Sequence, residues 1–186
     1  MKKIFAFIWF AGLFLLLQQA SAQGPQKGKF AGACVQLAFG DTGFVKLSPY
    51  IGYRFNHFFA AGFGVHGQYE CVKDYDQYTG DLFTRQKSTV LGLNLFGRFY
   101  PIRNLMIQVQ PEANYTFGKI TFYDTNPKET YNLDAEIVPS ILVGGGLVLP
   151  TNKGEWIAAA FYDVLQFKDT PYGRRAIMHL GYDFRF

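Results

Sequence analysis

From Leu105 to Gly118 the chain keeps a strict two-residue rhythm. Leu105, Ile107, Val109, Pro111, Ala113, Tyr115 and Phe117 fall on one parity, and all are apolar or aromatic. Met106, Gln108, Gln110, Glu112, Asn114, Thr116 and Gly118 fall on the other, and most are polar. Side chains alternate faces with period two only on an extended strand, because a helix scatters such residues around its circumference. The run is also about twice as long as the five or six residues usual in a soluble strand. The same rule governs the end of the chain, where Met178, Leu180, Tyr182, Phe184 and Phe186 oppose His179, Gly181, Asp183 and Arg185. It governs Val45 to Phe55 against Lys46, Ser48, Tyr50, Gly52 and Arg54. Phe59, Ala61, Phe63, Val65 and Tyr69 oppose Gly62, Gly64, His66, Gln68 and Glu70, and Leu91, Leu93, Leu95 and Phe99 oppose Gly92, Asn94 and Arg98.

Eight such segments are expected, at 28–39, 44–55, 58–71, 87–100, 104–122, 133–149, 155–167 and 174–186. Their connections alternate in character. Asn56-His57, Pro101 to Asn104 and Pro150 to Gly154 read as tight turns, while 72–86, 123–132 and 168–173 are longer and rich in Asp, Tyr, Thr, Lys and Pro. Gly40 to Gly43 is the one short connection on the long-loop side. An even strand count with short turns at one end and long loops at the other is the pattern of a membrane barrel, short turns toward the periplasm.

The first 22 residues read as an address. Lys2 and Lys3 give a positive start, Ile4 to Leu17 an apolar run, and Ala20-Ser21-Ala22 a small-x-small cleavage pattern before Gln23. The expected organisation is a cleaved signal peptide over 1–22 and one barrel domain over 23–186, with no room for a further periplasmic domain. No later run is apolar enough for a membrane helix, so a membrane location requires a closed barrel, the other fold that pairs every backbone amide inside lipid. The 186 residues carry 18% aromatic and only 17% charged side chains, which excludes disorder and long-helix architectures. A formal charge of +4 without a basic cluster gives no footprint for nucleic acid.

A soluble lipocalin-like barrel also alternates, with its apolar parity inward. Three features place lipid outside instead. The polar parity is Gly, Gln, Asn and isolated charges of both signs, suited to a narrow eight-stranded bore. Aromatics crowd the strand ends at Tyr53, Phe55, Phe58, Phe59, Phe99, Tyr100, Phe117, Phe122, Tyr123, Trp156, Phe184 and Phe186, as in interfacial girdles. The last residue, Phe186, stays in register with the apolar face. Slipping 105–118 by one residue would put Glu112 and three amides into hydrocarbon.

The phrases Phe96-Gly-Arg-Phe-Tyr-Pro101, Val109 to Gly118, and Leu180 to Phe186 resemble the small eight-stranded outer-membrane barrels of the OmpX/OmpA-like class, and more narrowly the barrel-domain proteins of Bacteroidetes. The resemblance implies an all-β, eight-stranded, antiparallel, up-and-down transmembrane barrel in a bacterial outer membrane. It implies a non-enzymatic structural or surface-interaction role through the long loops. The alternatives are a lipid-modifying enzyme, a narrow channel, or an accessory part of a secretion apparatus. Expected partners are outer-membrane lipid and lipopolysaccharide, the barrel-assembly machinery through the strand ending at Phe186, and an extracellular or secretion-system protein.

No catalytic, cofactor or metal site is expected. Gly62-Phe-Gly-Val-His-Gly67 spells GxGxxG but lies within a strand, where its glycines would relieve crowding in the bore, not cradle phosphate. Asp74, Asp76 and Asp81 resemble a calcium loop, yet Thr79 and Arg85 stand where it needs Gly and Glu. Asn114-Tyr-Thr116 is a glycosylation sequon in spelling only. Cys34 and Cys71 take opposite parities on separate strands, which opposes a disulfide. His57, His66 and His179 invite a catalytic reading, but no Ser neighbours His179 on its face. The inward parity collects Lys46, Arg54, His66, Glu70, Arg98, Gln108, Gln110, Glu112, Glu136, Asp163, His179, Asp183 and Arg185 into an expected lumen polar network. Buried charges must be paired, and Glu112 and Asp163 are expected to meet cations such as Arg98 and Arg54.

Overall fold

The structure is a computed structural model that describes residues 27–38, 42–75, 80, 82–123, 129–167 and 170–186. The expected signal peptide over 1–22 lies outside them, as do Asp76, Thr79 and Asp81 of the calcium-like loop. Eight strands run in chain order: β1 Gly28–Ala38, β2 Thr42–Arg54, β3 Phe59–Tyr75, β4 Leu82–Ile102, β5 Leu105–Phe122, β6 Glu129–Pro150, β7 Gly154–Asp163 and β8 Ile177–Arg185. Each pairs antiparallel with its sequence neighbour, and β1 pairs with β8, so the sheet closes on itself. Closure follows from the alternation: a sheet apolar on one face and polar on the other hides the polar face by curling around it, and eight strands leave a bore that side chains fill.

The two faces are inverted relative to a soluble protein. Leu93 is 66% exposed, Ile137 69% and Met178 70%, whereas Lys46 is 1% exposed and Asp163 0%. On β3 the outward apolar row runs from Phe59 to Tyr69. Ten steps of about 3.4 Å, tilted by about 40°, give a height of about 26 Å, the thickness of a lipid-facing barrel band. Hydrocarbon is the solvent that makes this surface stable, and the fold is that of a transmembrane barrel.

At the short-turn end, the side-chain carbonyl of Asn56 accepts from the amides of Phe58 and Phe59 at 2.8 and 2.9 Å, closing the β2–β3 turn. Ile102 pairs with Leu105 across the β4–β5 turn, and Thr151 donates its amide to Gly154 O at 2.8 Å before β7. At the long-loop end the strands differ from expectation. Most of 72–86 is strand, because β3 and β4 stay paired as far as Asp74 and Thr84, with a last irregular pair at Tyr75 and Leu82. β6 begins at Glu129, four residues before the expected start. The loop expected at 168–173 is longer, because β7 ends at Asp163 and β8 begins at Ile177. Asp163 ends β7 by accepting the amides of Ile141 and Leu165 at 3.1 and 3.2 Å.

The result is a lopsided barrel. β4 and β6 have 21 and 22 residues, β7 and β8 only 10 and 9. The extra length of β3, β4, β5 and β6 stands as a raised sheet above the band. Its β6 margin lacks a strand neighbour: β7 pairs only with Leu142–Pro150, and Ile141 is held by Asp163 and Val164, so among the described residues no strand pairs with the β7 side of 129–140. Two outward placements also need correction. Tyr100 turns into the bore, 3% exposed, with the Arg54 guanidinium 4.1 Å from its ring centre, and Phe122 shares the inward parity. Both sit on even positions of strands whose odd positions face lipid, and parity prevails over aromatic character. Cys34 is buried in the bore and Cys71 lies on the outer face; both are free.

Candidate functional site: the filled bore and the raised sheet

The bore is packed in tiers along its axis. Nearest the short turns, Arg54 grips Glu155 with two nitrogens, at 2.6 and 3.3 Å, and Arg185 reaches the same carboxylate at 2.5 Å. One tier up, Arg98 donates to Asp183 Oδ2 at 2.6 Å and to Gln108 Oε1 at 2.7 Å, and the Tyr50 hydroxyl binds the other Asp183 oxygen. The rings of Phe30, Tyr50 and Phe96 surround that guanidinium, with centroids 5.5, 5.0 and 4.6 Å away. Alternate residues of β5 then form a ladder, with Gln108 donating to Gln110 at 2.5 Å and Gln110 to Glu112 at 2.7 Å.

Glu112 is the hub. Lys46 Nζ lies 3.3 Å from its carboxylate, His66 Nε2 3.9 Å, and the Tyr172 hydroxyl donates to it while accepting from Lys46. His66 Nε2 also lies 2.8 Å from Asn114 Oδ1, and the Asn94 amide is 3.3 Å from Nδ1. That is the pattern of a neutral ring protonated on Nε2. Asn114 continues to Ser140 at 3.1 Å. Two glycines make room here. A Cβ on Gly92 would lie 2.3 Å from the His66 ring, and one on Gly62 2.4 Å from the tip of Phe96. Gly67 faces outward, so of the GxGxxG run only Gly62 and Gly64 relieve the bore.

Residues 164–167 and 170–176 close the upper mouth. Gln166, at φ 48°, donates to Asp163 O at 2.6 Å and Gly173 O at 3.1 Å, which turns the segment back over the barrel. Thr170 donates to Asp163 Oδ2 at 2.5 Å, Gln68 to Pro171 O at 3.4 Å, and Arg175 pairs with Glu70 at 2.9 Å. Tyr172 is thereby driven into the bore, 1% exposed. Planar bilayers containing the protein are expected to show no steady single-channel openings; a constant conductance in every insertion would contradict this stopper.

Of the residues placed inward from sequence, Lys46, Arg54, His66, Arg98, Gln108, Gln110, Glu112, Asp163 and Asp183 are buried in the bore. Glu70 and Arg185 lie at the two mouths. His179 lines the wall, its Nδ1 3.3 Å from Gln36 and its ring centre 5.1 Å from that of Phe161. Glu136 is exposed: it pairs with Thr116 just below the irregularity that separates this pair from Gly118 and Leu133, on a vestibule of about 380 Å³ shared with Glu70, Ser88, Thr116 and Asp134. The pairing differs from expectation, because tiers set the partners: Arg98 takes Asp183, Arg54 takes Glu155, Glu112 takes Lys46, and Asp163 serves backbone amides. Sequence reading missed Glu155 and Tyr172. On β7 the inward row includes Ile157 and Phe161 alongside Glu155, so parity there carries no polarity signal. Tyr172 sits in a loop, and nothing local reveals that a loop turns inward.

Among the described residues, no hydroxyl hydrogen-bonds to His66 or His179, and no group of His, Cys, Asp or Glu could hold a metal ion. His57 lies exposed in the β2–β3 turn against Phe58. Fold and bore together define an eight-stranded transmembrane barrel whose interior is a paired polar core. No family model matches the chain, and no curated protein matches it. Among solved structures it is similar to Ail, the attachment invasion locus protein of Yersinia pestis. The crystal structure of Ail is 12% identical, with a TM-score of 0.48, covering 87% of this chain and all of that one. The backbone structure of Ail in a phospholipid bilayer nanodisc is 14% identical, with a TM-score of 0.43, covering 86% and 99%.

Proposed function

We propose that this is a non-enzymatic outer-membrane protein that works at the cell surface through its raised sheet. The observation that carries the reading is the margin of β6 over residues 129–140, which no strand among the described residues pairs on the β7 side. Unsatisfied strand edges template the addition of another strand, and soluble proteins cover or charge them. Here the part of the margin before Ile137 stands beyond the lipid band, next to a vestibule lined by Glu70, Asp134 and Glu136. An extended polypeptide segment carrying basic side chains fits both features. The bore supports the reading by default: its charges are consumed in mutual pairs, which leaves the histidines no nucleophile to activate. In this reading the short turns face the periplasm, residues 1–22 direct export, and the strand ending at Phe186 is presented to the assembly machinery.

A photo-cross-linking residue placed at Asn132 in intact cells is expected to yield a discrete protein adduct that the same residue at lipid-facing Leu95 does not. Identical patterns at both positions, or none at Asn132, would remove the surface-interaction reading. Mass spectrometry of lipid A from cells with and without the protein is expected to show no difference. A change abolished by His179→Ala would establish an enzyme instead.

A further inference from the structure

The short-turn mouth of the barrel, opposite the raised sheet, holds a cavity of about 280 Å³ that the surface role proposed above does not use. Gly28 makes the room. It shares the inward parity of Phe30 and lies opposite Arg54 on β2. A Cβ there would meet nothing nearer than Phe186 O, at 3.9 Å, so the space beside it is open. The buried Phe30 and Asp183 form the inner wall, Arg54, Glu155 and Arg185 stand around it, and the exposed Lys27 and Lys29 lie at the rim.

The charges around this cavity do not cancel. Arg98 and Asp183 satisfy each other at 2.6 Å. Arg54 and Arg185 instead share one carboxylate, that of Glu155. Arg54 spends two nitrogens on it, whereas Arg185 donates from Nη2 alone and is partly exposed. Among the described residues, that is the one hydrogen bond of the Arg185 guanidinium. Three guanidiniums thus face two carboxylates, an excess of one positive charge. The rim adds to it, because among the described residues no ion pair includes Lys27 or Lys29. The short turns offer no relief: Asn56-His57, Arg103-Asn104 and Thr151 to Lys153 contain no acidic side chain.

An unpaired charge inside protein is costly, and a mouth with low-dielectric walls concentrates its field on ions of the opposite sign. A guanidinium matches a carboxylate through two parallel N–H···O bonds, and Arg185 keeps donors for them. One excess cation balances one carboxylate. A phosphate dianion fits worse, since it would sit beside the carboxylates of Glu155 and Asp183.

We propose that this cavity binds a carboxylate entering from the short-turn side, the side that faces the periplasm in the orientation proposed above. Arg185 is its direct partner, Lys27 and Lys29 draw it to the rim, and the body of the ligand takes the space left by Gly28. A small free carboxylic acid and the carboxyl end of a peptide offer the same group.

The test uses isotope-labelled protein in a neutral detergent, with the nuclear magnetic resonance signals of the Arg185 Nε–H and the Gly28 amide as readout. The probes are butyrate, acetyl-dialanine with a free carboxylate, its neutral C-terminal amide, and inorganic phosphate. Saturable shifts of both signals are expected with butyrate, with acetyl-dialanine, or with both, which tells a free acid from a peptide end. The amide is expected to cause none, and phosphate to bind more weakly. Arg185→Gln is expected to weaken carboxylate binding by about tenfold or more, the order of one lost hydrogen bond between charged partners. Gly28→Leu keeps every charge and fills the cavity, and is expected to abolish saturation, which attraction to the rim alone would not do. The proposal is overturned by the absence of saturable shifts with either carboxylate, by equal binding of the amide, by phosphate binding as tightly as the carboxylates, or by undiminished binding in either variant. Heat-modifiable gel migration reads folding of the variants, and if Arg185→Gln does not fold, Gly28→Leu decides.

Discussion

Replacing Leu93 by Arg is expected to destabilise the folded barrel in lipid vesicles by about 2–4 kcal/mol, the cost of a cation on a lipid-facing strand near the bilayer midplane. Leu93 is 66% exposed and lies at the middle of β4, with Val65 and Ala113 as its cross-strand partners. In a water-soluble protein, an exposed Leu→Arg change away from any special contact is usually within about 0.5 kcal/mol of neutral. The measurement is the denaturant midpoint of reversible folding into vesicles, compared with Leu93→Phe, which keeps the surface apolar. Equal midpoints for the two variants would mean that water, not hydrocarbon, covers this face. The same substitution at Lys87 or Lys119, beyond the band, is expected to cost nothing measurable.

The second large effect lies at the hub of the bore. Glu112→Leu is expected to cost about 3–5 kcal/mol, because it strands the buried Lys46 ammonium and leaves the Tyr172 hydroxyl and the Gln110 amide without their acceptor. Lys46→Met alone removes the cation and leaves the carboxylate buried, at comparable cost. The pair Lys46→Met, Glu112→Leu removes both charges. It is expected to recover most of the loss, because a buried ion pair contributes little beyond an apolar pair of similar volume. Vesicle-folding midpoints for the three variants form a double-mutant cycle with a large favourable coupling term. Additive losses would show that the two side chains do not act as a unit, contrary to their 3.3 Å contact. Tyr172→Phe is the milder companion, since it removes one hydroxyl and leaves the Lys46–Glu112 pair intact.

The bore also shows why lumen pairing is hard to foresee. Arg98 and Glu112 lie on neighbouring strands and share the inward parity, so proximity along the sheet suggests a pair. In the closed ring, Arg98 faces across the bore to Asp183, 85 residues away, and Glu112 faces across to Lys46, 66 residues away. Parity fixes which side of the sheet a residue takes, but only the closure of β1 on β8 and the tilt of the strands set which residues share a level. Glu136 illustrates the converse. Its parity is inward, yet it stands above the level at which the ring closes, and inward there means a solvated vestibule.

What the amino-acid order alone determined is the local chemistry of a strand: eight alternating segments, which parity meets lipid, the tight turns between Arg54 and Phe59 or Pro150 and Gly154, and the set of charges that must find one another. Those follow from period-two geometry and from the cost of a charge in hydrocarbon, and both act residue by residue. The tertiary structure decided the rest: the partners of each buried charge, the entry of Tyr172 into the bore, the height of β3 to β6 above β7 and β8, and the bare margin of β6. These depend on where the ring closes and on how far each hydrogen-bonded ladder continues, which are properties of paired strands and are not contained in any one of them.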